Sequence, residues 1–134
     1  MSARHSFPYL PVPGTASVMP LLPLRLKSLE VEVKATALLD SGATVNVLPH
    51  SLGVQLGLDW TSQSHVLELG GNLARHEARG VLLEAAIEGF PPVRLAFAWS
   101  ASDNVRLILG QINFFLAFDV TFRRADLAFD LWLR

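Results

Sequence analysis

A single acidic residue, Asp40, lies between two apolar runs and begins the stretch Asp-Ser-Gly-Ala. Residues 37–39 are all apolar, so a buried strand carries this carboxylate into a tight turn that Ser41 and Gly42 favour. A lone buried carboxylate costs several kcal/mol unless it is neutralised or paired. Two facing carboxylates can share one proton and hold a water, one acting as a base while the other polarises a carbonyl. The pattern occurs once in the chain, so this chemistry needs a second subunit.

The sequence on either side of this turn predicts mostly short strands. Alternating apolar and polar side chains predict a hairpin connected at residues 27–30. Pro49 predicts the start of a short helix to about Leu56, which Gly57 ends. The remaining pattern predicts strands at 65–69, 74–88, 93–99 and 105–109, a short helix at 111–117, and a last hairpin of 118–122 and 127–133. Many short strands with one or two short helices indicate an all-β fold, either a small closed β-barrel or a closed sandwich.

Composition limits the classes of function. The 134 residues are 51% hydrophobic and 17% charged, which excludes a disordered chain and suggests extra burial in an oligomer interface or a binding cleft. The net charge of −1 gives no electrostatic reason to expect nucleic acid or an anionic membrane as a partner. There is no cysteine, and the four histidines lack metal-ligand spacing. We therefore expect no metal and no cofactor.

The N-terminal part is apolar but rich in proline. Prolines interrupt residues 7–26 five times, which argues against a membrane-spanning helix and a signal peptide and leads us to expect a cytoplasmic protein. We predict a flexible Pro-rich arm at residues 1–17 and one domain at residues 18–134, with a docking role for the arm as the alternative.

Three segments, in order, resemble the retropepsin-like aspartic proteases, the single-domain relatives of retroviral proteases. Residues 37–43 resemble the catalytic loop, and residues 67–72 fall where that family has its glycine-bearing flap. Residues 107–110 (Leu-Ile-Leu-Gly) resemble the segment that crosses the catalytic loop in a psi shape. The resemblance covers about residues 20–124. It implies a closed β-barrel, a symmetric homodimer, and hydrolysis of extended peptide or protein substrates.

The resemblance also implies a role for each matching residue. Asp40 would be catalytic, Ser41 would bond to the partner's loop, and Gly42 would accept hydrogen bonds from the substrate backbone. The flap would close over the substrate, while the psi segment would line and brace the pocket. The residues implied to contact substrate are Ser41, Gly42, Ala43, Leu69, Gly70, Gly71, Leu109 and Gly110.

Two positions depart from the retroviral pattern. Retroviral members have an acidic residue after the catalytic motif and an arginine after the psi glycine, and these form a salt bridge. Thr44 and Gln111 occupy those positions here, so the bracing must be neutral or come from elsewhere.

Several alternatives stay open at this point. The same fold could serve as a catalytically silent module that binds peptide or drives dimerisation. Asp40 could be a turn aspartate that bonds its own backbone, and the glycines at 70 and 71 could form an ordinary hairpin turn. Trp132 lies opposite the apolar face of the last strand, which suggests either an interface or a strand buried on both sides. The chain could also be a processed piece of a larger polyprotein.

Overall fold

The fold consists mainly of short strands. A computed structural model describes residues 3–63, 66–69 and 76–134. Two short helices occur in this part of the chain, His50–Gln55 (α1) and Phe114–Ala117 (α2). The strands are His5–Pro8 (β1), Leu10–Pro11 (β2), Val18–Met19 (β3), Leu21–Ser28 (β4), Val31–Leu39 (β5), Val47–Leu48 (β6), Val66–Leu69 (β7), His76–Ala86 (β8), Val93–Ser100 (β9), Ile108–Leu109 (β10), Phe118–Arg123 (β11) and Ala128–Leu133 (β12).

Six strands close into a barrel in the order β4-β5-β10-β6-β9-β8. The ring closes because β8 pairs antiparallel with β4, with Lys27 opposite Glu84. β7 extends the sheet beyond the ring by pairing antiparallel with β8. This arrangement confirms the predicted all-β closed barrel with two short helices.

Side-chain alternation explains which face of each strand is buried. Along β5, exposure falls from the hairpin end towards the core, and Ala37 and Leu39 are buried while Thr36 is exposed. Trp99 of β9 is completely buried, and its indole N–H donates to the His50 carbonyl at 3.0 Å. α1 packs on this indole through Gly53, so the predicted helix after Pro49 covers one side of the core.

The strand β10 lies between β5 and β6, the two strands that flank residues 40–46. It pairs parallel with β5, with Ile108 opposite Leu38, and antiparallel with β6, with Ile108 opposite Val47. The strand β10 is shorter than the strand predicted at residues 105–109. We call residues 40–46 the Asp40 loop, and β10 crosses directly beside it. The psi-shaped crossing therefore positions the loop.

A second sheet, in the order β1-β12-β11, includes residues of the predicted N-terminal arm. β1 pairs with β12 over four residues, and the hydroxyl of Ser6 donates to the buried Asp130 carboxylate at 2.6 Å. Phe7 stacks on the buried Phe129 at 5.4 Å between ring centroids. These contacts come from the far end of the chain, which is why prolines in the local sequence did not reveal them. The division of the chain at residue 17 stays a prediction.

Trp132 is half-buried, on the face of β12 that also carries the buried Asp130. The guanidinium of Arg4 lies 5.6 Å from its ring centroid, so part of the indole is covered within the same chain. Neither helix of the described residues is long and apolar enough to cross a membrane.

Candidate active site

Asp40 is held at the end of β5 by hydrogen bonds of its backbone and its carboxylate. The Asp40 N–H donates to the Leu109 carbonyl at 3.0 Å, which continues the β5–β10 pairing to the first residue of the loop. The Gly42 N–H donates to Asp40 Oδ1 at 2.9 Å, and the Ala43 N–H donates to the Asp40 carbonyl at 3.1 Å. Asp40 is half-buried, whereas Ser41 and Gly42 are exposed. A half-buried carboxylate thus stands at the rim of an exposed turn.

Gly110 allows the chain after β10 to pass closely against the Asp40 loop. A Cβ atom at this position would lie 2.8 Å from the Ala43 carbonyl oxygen and 2.7 Å from that of Val45. The same close approach lets the Gln111 N–H donate to the Ala43 carbonyl at 2.9 Å, and the Ile112 N–H donate to the Thr44 carbonyl at 2.8 Å. Glycine is required here because the neighbouring backbone occupies the space of a side chain.

Asn46 connects the end of the loop to both neighbouring strands, and the sequence reasoning missed it. Its side chain is 1% exposed; Oδ1 accepts from the Gly110 N–H at 2.8 Å, and Nδ2 donates to the Ala96 carbonyl at 3.0 Å. Asn113 completes the arrangement, since its Oδ1 accepts from the Ala96 N–H at 2.9 Å and lies 3.4 Å from Asn46 Nδ2. The available signal was one polar residue inside the apolar run 45–48.

The bracing of the Asp40 loop within the described residues is neutral. Gln111, at the position of the family's arginine, donates from its side-chain amide to the Ser41 carbonyl. Thr44 contributes its backbone carbonyl to Ile112. Neutral hydrogen bonds of Gln111 and Thr44 therefore occur at the two positions where the resemblance led us to look for a salt bridge, and Asn46 adds further neutral bonds beside them.

Apolar side chains of the Asp40 loop and of the strand before it pack towards the interior. Leu38, Ala43 and Val45 pack on a buried cluster that is separate from the main core. The members of that cluster are Val47, Ala78, Ala98, Val105 and Ile108.

The predicted site residues fall into two groups. The structure brings residues 40–43 together with Leu109 and Gly110 at the psi crossing. The Leu109 side chain is fully buried in the main core, so this residue supports the loop through its carbonyl and does not offer its side chain to a substrate. Leu69 is the last residue of β7, paired with His76 of β8. The predicted flap residues Gly70 and Gly71 lie outside the described residues.

No cluster of three or more potential metal ligands occurs among residues 3–63, 66–69 and 76–134. Within the described part of the loop, the Asp40 carboxylate accepts a hydrogen bond from one backbone N–H, that of Gly42.

Comparison with known proteins supports the fold. No protein-family model matches the chain, and no curated protein sequence matches it either. Among solved structures, the chain is similar to the crystal structure of a retropepsin-like aspartic protease from Rickettsia conorii, with a TM-score of 0.61 and 15% sequence identity. The match covers 98% of this chain and 92% of that chain. The chain therefore has a retropepsin-like fold.

Proposed function

We propose that the protein is an aspartic endopeptidase that acts as a homodimer. The observation that carries the proposal is the placement of Asp40, half-buried at the psi crossing, with the exposed residues Ser41 and Gly42 beside it. The exposed turn leaves room for the same turn of a second subunit. A two-fold axis through this turn would bring two Asp40 carboxylates together, since one chain supplies one of them.

In this dimer the two carboxylates share one proton because like charges at close range cannot both ionise. The ionised carboxylate takes a proton from a water held between the two groups. The resulting hydroxide attacks the peptide carbonyl, whose oxygen the protonated carboxyl polarises. Proton transfer to the leaving nitrogen then releases the amine. The Gly42 N–H donates to Asp40 Oδ1 at 2.9 Å and so fixes the orientation of this carboxylate.

The proposed substrate is an extended peptide or an unfolded segment of a protein. Backbone hydrogen bonds with Gly42 and the β7–β8 hairpin would supply affinity, and apolar pockets would supply preference. The predicted flap residues Gly70 and Gly71, which follow β7 in the sequence, would close over the substrate and exclude water.

A peptide-library cleavage assay at several pH values tests the proposal. Asp40→Asn should abolish cleavage and leave the fold unchanged by circular dichroism, because the variant keeps the side-chain shape and loses the ionisable group. Asp119→Asn is the matched control; Asp119 is exposed on β11 and pairs with Arg134 at 3.0 Å, so activity should persist. The shared proton should give wild type a bell-shaped, acid-shifted rate profile.

Two results would contradict the proposal. Cleavage by purified Asp40→Asn protein would exclude the carboxylate mechanism. Peptide binding by a wild-type dimer that cleaves nothing at any pH would favour the silent binding module.

A further inference from the structure

The strands β2 and β3 form an N-terminal hairpin (residues 10–19) whose shape is fixed by its own hydrogen bonds. Leu10 pairs with Met19, and the Val12 N–H donates to the Ser17 carbonyl at 2.9 Å. The Val12 carbonyl accepts from the Thr15 N–H at 3.1 Å and from its hydroxyl at 3.0 Å. The Val12 side chain is 8% exposed, so the hairpin lies against the barrel. The N-terminal hairpin therefore forms an ordered wall on the surface of the barrel.

A cavity of about 360 Å³ separates this wall from the strand that leads to Asp40. Its opposite side includes Leu38 and Thr36 of β5 together with Leu107. Leu38 is two residues before Asp40, and alternation along a strand places such residues on one face. The volume is within the range of about 300–1,000 Å³ that ligand pockets have. It suits one bulky apolar side chain.

Arg106 lines the same cavity and has an exposed side chain. Its guanidinium lies 3.9 Å from the Met19 sulfur, and it pairs with no carboxylate in the described part of the chain. A cation beside an apolar cavity can pair with an acidic group of a ligand whose apolar part is buried.

We propose that the N-terminal hairpin and Arg106 form a specificity pocket for substrates with a bulky apolar residue close to an acidic one. The apolar side chain enters between Val12 and Leu38, and the acidic side chain pairs with Arg106. The apolar and the acidic side chain belong to one extended peptide that passes Asp40. The proposal rests on the proposed function for its choice of a peptide as ligand. It assigns to the Pro-rich segment a role in selecting that peptide.

Binding of labelled peptides to the full-length Asp40→Asn protein tests the pocket without turnover. The probes are capped, fluorescein-labelled hexapeptides with Phe or Ala at the third position and Glu or Lys at the fifth, measured by fluorescence anisotropy. Burial of the aromatic ring should make the Phe peptides bind about tenfold more tightly than the Ala peptides. Adding Thr36→Phe, which fills the cavity from β5, should remove that preference. Thr121→Phe, the same change at an exposed position of β11, should leave it unchanged.

The role of the Arg106 charge beside the cavity is tested in the same Asp40→Asn protein. Glu peptides should bind about threefold more tightly than Lys peptides, as expected for an exposed ion pair, and added Arg106→Glu should reverse the order. Arg94→Glu makes the same charge change at an exposed position of β9 and should not reverse it. Absence of peptide binding, or preferences that Thr36→Phe and Arg106→Glu leave unchanged, would overturn the pocket.

The same single variants in the active background separate this inference from the proposed function. Asp40-dependent cleavage with unchanged residue preferences in Thr36→Phe and Arg106→Glu would retain the protease and refute the pocket. The predicted binding preferences without any wild-type cleavage would support the pocket and refute the protease.

Discussion

Replacement of Asn46 by alanine tests whether the neutral amide bracing holds the Asp40 loop. The change removes the acceptor of the Gly110 N–H, and an unsatisfied buried donor costs about 1–3 kcal/mol. It also removes the bond to the Ala96 carbonyl, worth about 1 kcal/mol. The 3.4 Å contact with Asn113 is long and adds little. We expect the free energy of unfolding to fall by about 2–4 kcal/mol.

Urea denaturation followed by tryptophan fluorescence measures this loss. With a denaturant slope of about 2 kcal/mol/M, the midpoint should fall by about 1–2 M. Asn104→Ala is the matched control, because Asn104 is exposed and its only hydrogen bond given by the structure comes from its backbone N–H. An Asn46→Ala midpoint equal to that of this control would refute the bracing.

Asn46→Asp separates loss of the donor from loss of side-chain volume. Aspartate keeps an acceptor for Gly110, but its second oxygen would face the Ala96 carbonyl and Asn113 Oδ1, which are both acceptors. The variant should therefore be least stable when the carboxyl is ionised, and it should regain stability as acid restores an O–H donor. Stability independent of pH relative to wild type would contradict the geometry.

Two further predictions concern the packing of the core and the attachment of β1. Gly53→Ala should destabilise the protein because the added Cβ would lie 2.1 Å from the buried Trp99 indole nitrogen, even though alanine favours a helix over glycine by about 1 kcal/mol. Thermal unfolding measures this effect, with Val54→Ala at an exposed position of the same helix as the control. A Gly53→Ala protein that is more stable than wild type would contradict the prediction. Hydrogen bonds from Arg123 and Ser6 hold the pKa of Asp130 below its ordinary value of about 3.9. Because the folded pKa is the lower one, the stabilisation is present above about pH 4 and is lost as the pH falls through the folded pKa. The difference in unfolding free energy between wild type and Asp130→Asn should be constant above that pH and should shrink below it. Asp126→Asn, which changes an exposed partner of the same arginine, should lower the unfolding free energy less at neutral pH. Equal decreases in the two variants would contradict the assignment.

Much of the barrel could be predicted because its signals are local. Alternation along β5 reports which side chains face the core. Pro49 restricts the backbone just before α1, and Gly57 adopts the positive φ that follows the end of this helix. The Asp40 turn was also visible, since the residue types of a turn carry its conformational preference. The same local reasoning did not predict the pairing of β1, whose partner β12 is more than a hundred residues away along the chain.

The amino-acid sequence alone determined an all-β chain with one aspartate in a Ser-Gly turn and one psi-like segment about 70 residues later. Alternation and turn preferences act between neighbours, so they can be read without coordinates. Only the tertiary structure decided that Asn46 and Gln111 brace the loop with neutral hydrogen bonds. It alone also decided that the N-terminal hairpin lies beside the strand leading to Asp40. Such contacts join distant segments, and their hydrogen bonds and burial depend on how the closed barrel brings those segments together.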